Sequence, residues 1–171
     1  MEFADAGCSM TPYLGEYPNL LILRTFSKAY GLAGVRLGYV LGDPRVIREL
    51  GKVRQPYSVD SISQVLGEVV FADRTRYDAR IRETRGERAR LSAKLAALPR
   101  VRVFASQANF LLVRVPDAHA IWQDMYEQDS VLVRDFSATP GLEDCLRITV
   151  GSPQENDRFL QALCKQLDRR R

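Results

Sequence analysis

The sequence predicts an α/β protein in two parts, and three observations predict it. Six apolar runs of strand length alternate with stretches of helical apolar spacing. Two dipeptides, Asp43-Pro44 and Ser152-Pro153, stand where helices should open, a capping side chain followed by the residue favoured at the first helical position. The pattern then changes at Pro99-Arg100, from long helices before it to short strands and helices after it.

From the N-terminus, Asn19 to Thr25 is a short apolar run and reads as a buried strand. Phe26 to Gly34 is rich in glycine and small residues and reads as a loop. Val35 to Leu41 reads as a second strand, closed by Gly42. Asp43 caps a helix that runs to about Val53, and Gln55-Pro56-Tyr57 interrupts it. Ser58 to Ala72 has helical spacing, and Asp73 to Leu98 reads as one long charged helix with Tyr77, Ile81, Leu91, Leu95 and Leu98 as its apolar positions. Then come strands at Val101–Phe104 and Asn109–Val115, a helix from Asp117 to Gln128, strands at Val131–Arg134 and Cys145–Val150, and a helix from Pro153 to Leu167 capped by Ser152 with Glu155. Residues 1–55 supply two strands and one helix, too little for an independent sheet. Residues 56–98 connect, and 99–171 form a compact small α/β domain.

Composition narrows the function classes. With 171 residues, 46% of them apolar, the chain can bury a core, and a charged fraction of 27% fits a soluble globular protein. No window is apolar enough to span a membrane, and the N-terminus does not read as a secretory signal. The net charge of +4 comes largely from Arg169-Arg170-Arg171 and the arginines between Arg74 and Arg102. That excess reads as solvated helix faces, since no aromatic residues interleave with it to stack bases. Cys8, Cys145 and Cys164 are too far apart for a zinc site or a disulfide framework and read as free thiols in a reducing cytoplasm. His119 reads as a surface residue at a helix opening.

Chemistry concentrates between Thr25 and Arg36. Lys28 follows a strand directly and lies in a glycine-containing turn. Thr25 and Ser27 stand just before it, and Arg36 lies eight positions beyond it. Hydroxyls donate to phosphate oxygens, a guanidinium binds them bidentately, and an amine beside them could attack the carbonyl of a phosphorylated aldehyde. The order of residues is not that of a Walker loop or a dinucleotide fingerprint. From the residues alone, a structural turn remains the alternative.

The run RTFSKAYGLAGVRLGYVLG, Arg24 to Gly42, resembles the Schiff-base segment of fold-type I pyridoxal-phosphate (PLP) aminotransferases of class I/II, most closely the histidinol-phosphate aminotransferases. The resemblance continues through Ser106–Val113, Val133-Arg134-Asp135 and Cys145–Gly151, essentially the whole chain. It implies the C-terminal portion of the fold-type I transferase fold: two strands of the large-domain sheet within 1–55, then the small α/β domain. It implies PLP as cofactor, Lys28 as the Schiff-base lysine and proton shuttle, and Thr25, Ser27 and Arg36 around the phosphate. Arg147 would take the substrate carboxylate, Arg134 is similar to a second substrate-facing arginine, and Asn109 would lie near the cofactor. Arg36 reads otherwise as a structural ion-pair partner and Arg134 as a strand end. For Arg147, inside an apolar strand, an unpaired charge would be costly, so a partner or an anionic ligand is expected.

The resemblance further implies a cytoplasmic homodimer that binds neither nucleic acid, membrane nor metal. Its substrates would be an amino-phosphate compound and a 2-oxo acid, as in histidinol-phosphate:2-oxoglutarate transamination in histidine biosynthesis. Related aromatic amino-acid aminotransferases and threonine-phosphate decarboxylases are the alternatives within the family. The family's aspartate for the pyridinium nitrogen and its ring-stacking aromatic residue are expected upstream of Met1, with Glu2-Phe3 similar to the residues just after that aspartate's run. On that expectation this chain alone is inactive, and a non-catalytic binding or dimerising module is the competing reading. Tyr57 could reach a cofactor across a dimer, although packing is the plainer role; Trp122 and Phe159 fit helix faces on the small-domain sheet.

Overall fold

The computed structural model describes residues 2–170. The chain divides into two compact units, residues 1–81 and 82–171.

In the first unit, β1 (Leu21–Thr25) and β2 (Gly38–Gly42) form an antiparallel hairpin, with Thr25 opposite Gly38 and Leu21 opposite Gly42. The close approach needs glycine: a Cβ on Gly38 would lie 2.6 Å from the Arg24 carbonyl oxygen. α1 (Pro44–Val53) opens as expected, the Asp43 side chain accepting from the Arg45 N–H at 2.8 Å. α2 (Ser61–Ala72) starts three residues after the expected Ser58, because Asp60 caps it by accepting from the Ser63 N–H at 2.9 Å. The expected long helix from Asp73 is broken by a 3-10 turn at Arg74–Tyr77, and α3 (Asp78–Ala96) begins after it.

The expectation of a buried first strand is corrected by the structure. β1 is not buried: Leu23 is 79% exposed. A strand is buried only when its faces and edges are covered, and this hairpin is the only sheet of the unit among the described residues. α2 likewise packs Ser63, Gly67 and Val70 inward while Ile62, Val65 and Val69 stay exposed.

The second unit has a four-stranded sheet in the order β3 (Arg102–Val103), β4 (Phe110–Arg114), β6 (Cys145–Thr149), β5 (Arg134–Asp135), every neighbour antiparallel. Leu111 and Val113 stand opposite Ile148 and Leu146, and this face packs on α3, α4 (Ala118–Asp129) and α5 (Pro153–Asp168). Leu91 and Leu95 are fully buried, as their helical spacing predicts, each contributing on the order of 2 kcal/mol. Phe159 is in the same core and Trp122 packs against it. The expected capping box is present: Ser152 Oγ accepts from the Glu155 N–H and Glu155 Oε2 from the Ser152 N–H.

The expected strand Val131–Arg134 is displaced, and only Arg134 and Asp135 pair with β6. Val131 N–H donates back to the Met125 carbonyl, and the Val133 carbonyl accepts from Trp122 Nε1 at 2.9 Å, so this segment is held by α4 instead of the sheet.

A polar network joins α3 to the turn between β6 and α5. Asn156, 2% exposed, bonds both backbone groups of Gly151 at 3.0 Å and donates to Glu87 Oε2 at 2.8 Å. Removing it takes these bonds from the Gly151 turn and one donor from the buried Glu87 carboxylate, so Asn156→Ala is expected to destabilise the second unit by about 2 kcal/mol in urea denaturation. The bond from Arg90 holds the Glu87 carboxyl below the usual range, against its burial and with help from Asn156. A carboxyl depressed in the folded state adds stability that is fully present above its unfolded pKa and lost as pH falls through its folded one. The loss should therefore start as pH falls through the ordinary glutamate range and be complete only below it, and Glu87→Gln should flatten that dependence.

Candidate active site

The residues expected at the site fall in two groups, one in each unit. In the first unit, Lys28 lies in the loop that joins β1 to β2. Phe26 N–H donates to the Leu37 carbonyl at 3.1 Å and closes the loop's base, Leu32 N–H bonds to the Phe26 carbonyl, and Gly31, at φ +70°, bonds through its N–H to the Lys28 carbonyl. Phe26 and Ala29 are buried and anchor the loop, Phe26 contacting the rings of Tyr30, Tyr39 and Phe71. With those two side chains turned inward, Lys28 is exposed and Ser27 half-buried. Thr25 Oγ1 accepts from the Ser27 N–H at 3.0 Å. Arg36 is exposed in the left-handed conformation, φ 58°, and its guanidinium donates to the Ala33 carbonyl at 2.9 Å. Lys28, Thr25, Ser27 and Arg36 supply one amine, two aliphatic hydroxyls and one guanidinium. This set fits a phosphorylated aldehyde: hydroxyls and guanidinium for the phosphate, the amine for the carbonyl.

In the second unit, Arg147 on β6 and Arg134 on β5 are register partners. Directly opposed side chains share a face of the sheet, and two like charges so placed repel each other. Both guanidiniums lie 5.8 Å from the centre of the Phe136 ring, and that of Arg147 lies 5.5 Å from Phe110. Arg147 Nε is buried without a hydrogen-bond partner. The two arginines line an open groove of about 910 Å³, walled on one side by Leu132 and Val133 and on the other by Ile148 and Thr149. The groove exists because β5 is two residues long and leaves that edge of β6 unpaired. An anion between the two guanidiniums would relieve the repulsion and satisfy the orphaned Nε. Asn109, half-buried, precedes β4 and accepts from the Val150 N–H through its carbonyl at 2.9 Å.

Several residues around the groove escape sequence reasoning. Phe136 has its signal in the Arg134-x-Phe136 alternation. His119 is exposed, as expected, but its Nδ1 lies 2.8 Å from Asp135 Oδ2, a pairing across 16 residues that no local pattern announces. Burial pushes the Asp135 carboxyl up, and the hydrogen bonds with His119 and Ser137 more than offset it, leaving the group below its usual range. Tyr57 is 98% exposed. At the C-terminal end, Arg169 and Arg170 are tied to Gln128 and Asp124, and Lys165 bonds to Asp129 at 2.5 Å, so these basic side chains are engaged within the fold. Cys8, Cys145 and Cys164 are free, and among the described residues no cluster suits a metal ion and no helix is long and apolar enough to cross a membrane.

Comparison with known proteins gives a consistent result. The family model described as aminotransferase class I and II matches residues 1–163. Histidinol-phosphate aminotransferase 1 of Burkholderia lata is 45% identical over 156 residues, which is 91% of this chain and 43% of that protein. Among solved structures, L-threonine-O-3-phosphate decarboxylase from Porphyromonas gingivalis superposes with a TM-score of 0.86 at 25% identity, covering 98% of this chain and 53% of that one. Histidinol-phosphate aminotransferase from Sinorhizobium meliloti, solved in complex with pyridoxal-5'-phosphate, gives 0.81 at 27%, covering 96% and 45%. The chain thus spans less than half the length of the curated relatives it matches.

Proposed function

Since this chain belongs to the class I and II aminotransferase family, we propose that it carries the lysine-bearing loop and the small domain of a PLP-dependent histidinol-phosphate aminotransferase, which moves an amino group between an amino-phosphate compound and a 2-oxo acid. The observation that carries this reading is the β1–β2 loop, which exposes Lys28 with Thr25 and Ser27 just before it and an exposed Arg36 after it. PLP, when bound, supplies the carbonyl that an amine attacks and the electron sink that lowers the cost of removing a Cα proton. Thr25, Ser27 and Arg36 hold its phosphate. Lys28 supplies the amine and, once free, moves the proton at the substrate Cα. Arg147 and Arg134 orient the anionic end of the substrate, and the family resemblance gives Asn109 a role near the cofactor. The relatives' names favour phosphate-bearing amino compounds, and two opposed guanidiniums suit a phosphate or a carboxylate equally. A homodimer in the cytoplasm belongs to the same reading.

The purified chain, given PLP and histidinol phosphate with 2-oxoglutarate, is expected to fold but not to transaminate. The same assay on a chain extended to the length of its relatives should show turnover and a visible cofactor band. Absence of both in the extended chain would refute the aminotransferase reading.

A further inference from the structure

We propose that His119, Trp122 and Asp135 are positioning residues that hold Arg134 in place for its anionic ligand. The proposal rests on the reading of Arg134 and Arg147 as an anion site.

The sheet by itself does not account for the position of Arg134. β5 is an edge strand of two residues, and its first residue faces Arg147 directly. A ladder so short contributes little, and the repulsion of two guanidiniums works against it. One further bond, from Phe136 N–H to the Cys145 carbonyl at 2.9 Å, extends the ladder, and contacts from outside the sheet add to this hold. α4 does so from both sides of Arg134. One residue before it, the Val133 carbonyl accepts from Trp122 Nε1 at 2.9 Å. One residue after it, Asp135 Oδ2 lies 2.8 Å from His119 Nδ1, and Oδ1 accepts from the Ser137 N–H at 2.8 Å. An ionised carboxylate only accepts, so His119 Nδ1 carries the proton in this bond. The gripping side chains also support each other: the His119 and Trp122 rings stack at 5.7 Å and 23°. His119, Trp122 and Asp135 line the same groove as the two arginines. His119 is exposed and fills no core void, whereas Trp122 packs its half-buried ring against the core and so presents Nε1 to the Val133 carbonyl from a fixed position. Their shared effect is to fix the backbone on which Arg134 sits.

The test uses the 171-residue chain and inorganic phosphate as the probe. Trp122 is the sole tryptophan and lines the groove, so its fluorescence reports occupancy. The wild-type chain should bind phosphate saturably, and Arg134→Ala should weaken it by about tenfold, the loss of one charge-assisted contact. His119→Ala and Asp135→Asn should each weaken it roughly fivefold, the scale of one net hydrogen bond. His119→Asn, whose amide N–H can reach Asp135, should restore affinity. The double variant His119→Ala, Arg134→Ala should bind no more weakly than Arg134→Ala alone, because His119 acts only through Arg134. Wild-type affinity in both His119→Ala and Asp135→Asn, or losses that add in the double variant, would overturn the positioning role and leave the anion site standing. Failure of the wild-type chain to bind phosphate would overturn both.

Discussion

Replacing Lys28 by alanine in the complete enzyme should lower turnover by about four orders of magnitude, the upper range for removing a positioned proton carrier, with the loss of covalent attachment adding to it. Lys28 is the only amine between β1 and β2, so no neighbour can substitute for it. The loop itself should survive the change. Its shape comes from buried Phe26 and Ala29 and from backbone bonds at Phe26, Gly31 and Leu32, none of which involve the lysine side chain. Thr25, Ser27 and Arg36, the residues proposed for the phosphate, are untouched by the change. The variant is thus expected to retain PLP after desalting while losing the visible absorbance that reports attachment to an amine. Borohydride treatment followed by peptide mass mapping should label Lys28 in the wild type and nothing in the variant. Normal turnover by Lys28→Ala, or a label on another lysine, would remove Lys28 from the chemistry.

Local signals in this sequence were legible because their physics is local. Asp43-Pro44 and Ser152-Pro153-Gln154-Glu155 cap their helices within one turn, through bonds that need no other part of the chain. Leu91 and Leu95, one helical turn apart, announce a buried face. The lysine loop was legible for a different reason: Arg24 to Gly42 is a long run whose residues resemble one family throughout.

The features hidden from sequence reading depend on partners far along the chain. Asn19–Thr25 has the apolar content of a buried strand, but burial belongs to the surroundings, and Leu23 faces outward from a two-stranded hairpin. Val131 to Val133 has strand composition, yet Trp122 and Met125 engage its backbone first. Glu87 and Asn156 meet across 69 residues, and His119 and Asp135 across 16. Asn109, Arg134 and Arg147 were expected at the site from resemblance. The structure adds that Arg134 and Arg147 stand opposite each other with a buried nitrogen unsatisfied.

That arrangement sets the expectation for Arg147→Lys in the complete enzyme: KM for the anionic substrates should rise about 30-fold, equivalent to roughly 2 kcal/mol, with cofactor affinity unchanged. A lysine keeps the charge and much of the length, so the repulsion with Arg134 and the general electrostatic attraction both persist. It loses the planar fork, which lies near Phe110 and Phe136 and can present two parallel N–H groups to one anion. The loss is therefore one of directed bonding and orientation rather than of charge. The groove lined by Arg147 consists of second-unit residues, whereas the loop proposed to hold the cofactor phosphate is built from residues 25–36 of the first. If Arg147 serves substrate alone, PLP affinity should be indifferent to it. If it serves the phosphate of the amino donor as well as the carboxylate of the 2-oxo acid, both half-reactions should slow at low substrate concentration, and single-turnover measurements of each will separate the cases. Should PLP affinity fall as far as substrate affinity, Arg147 is holding the fold or the cofactor, and the anion between the two arginines has been misassigned.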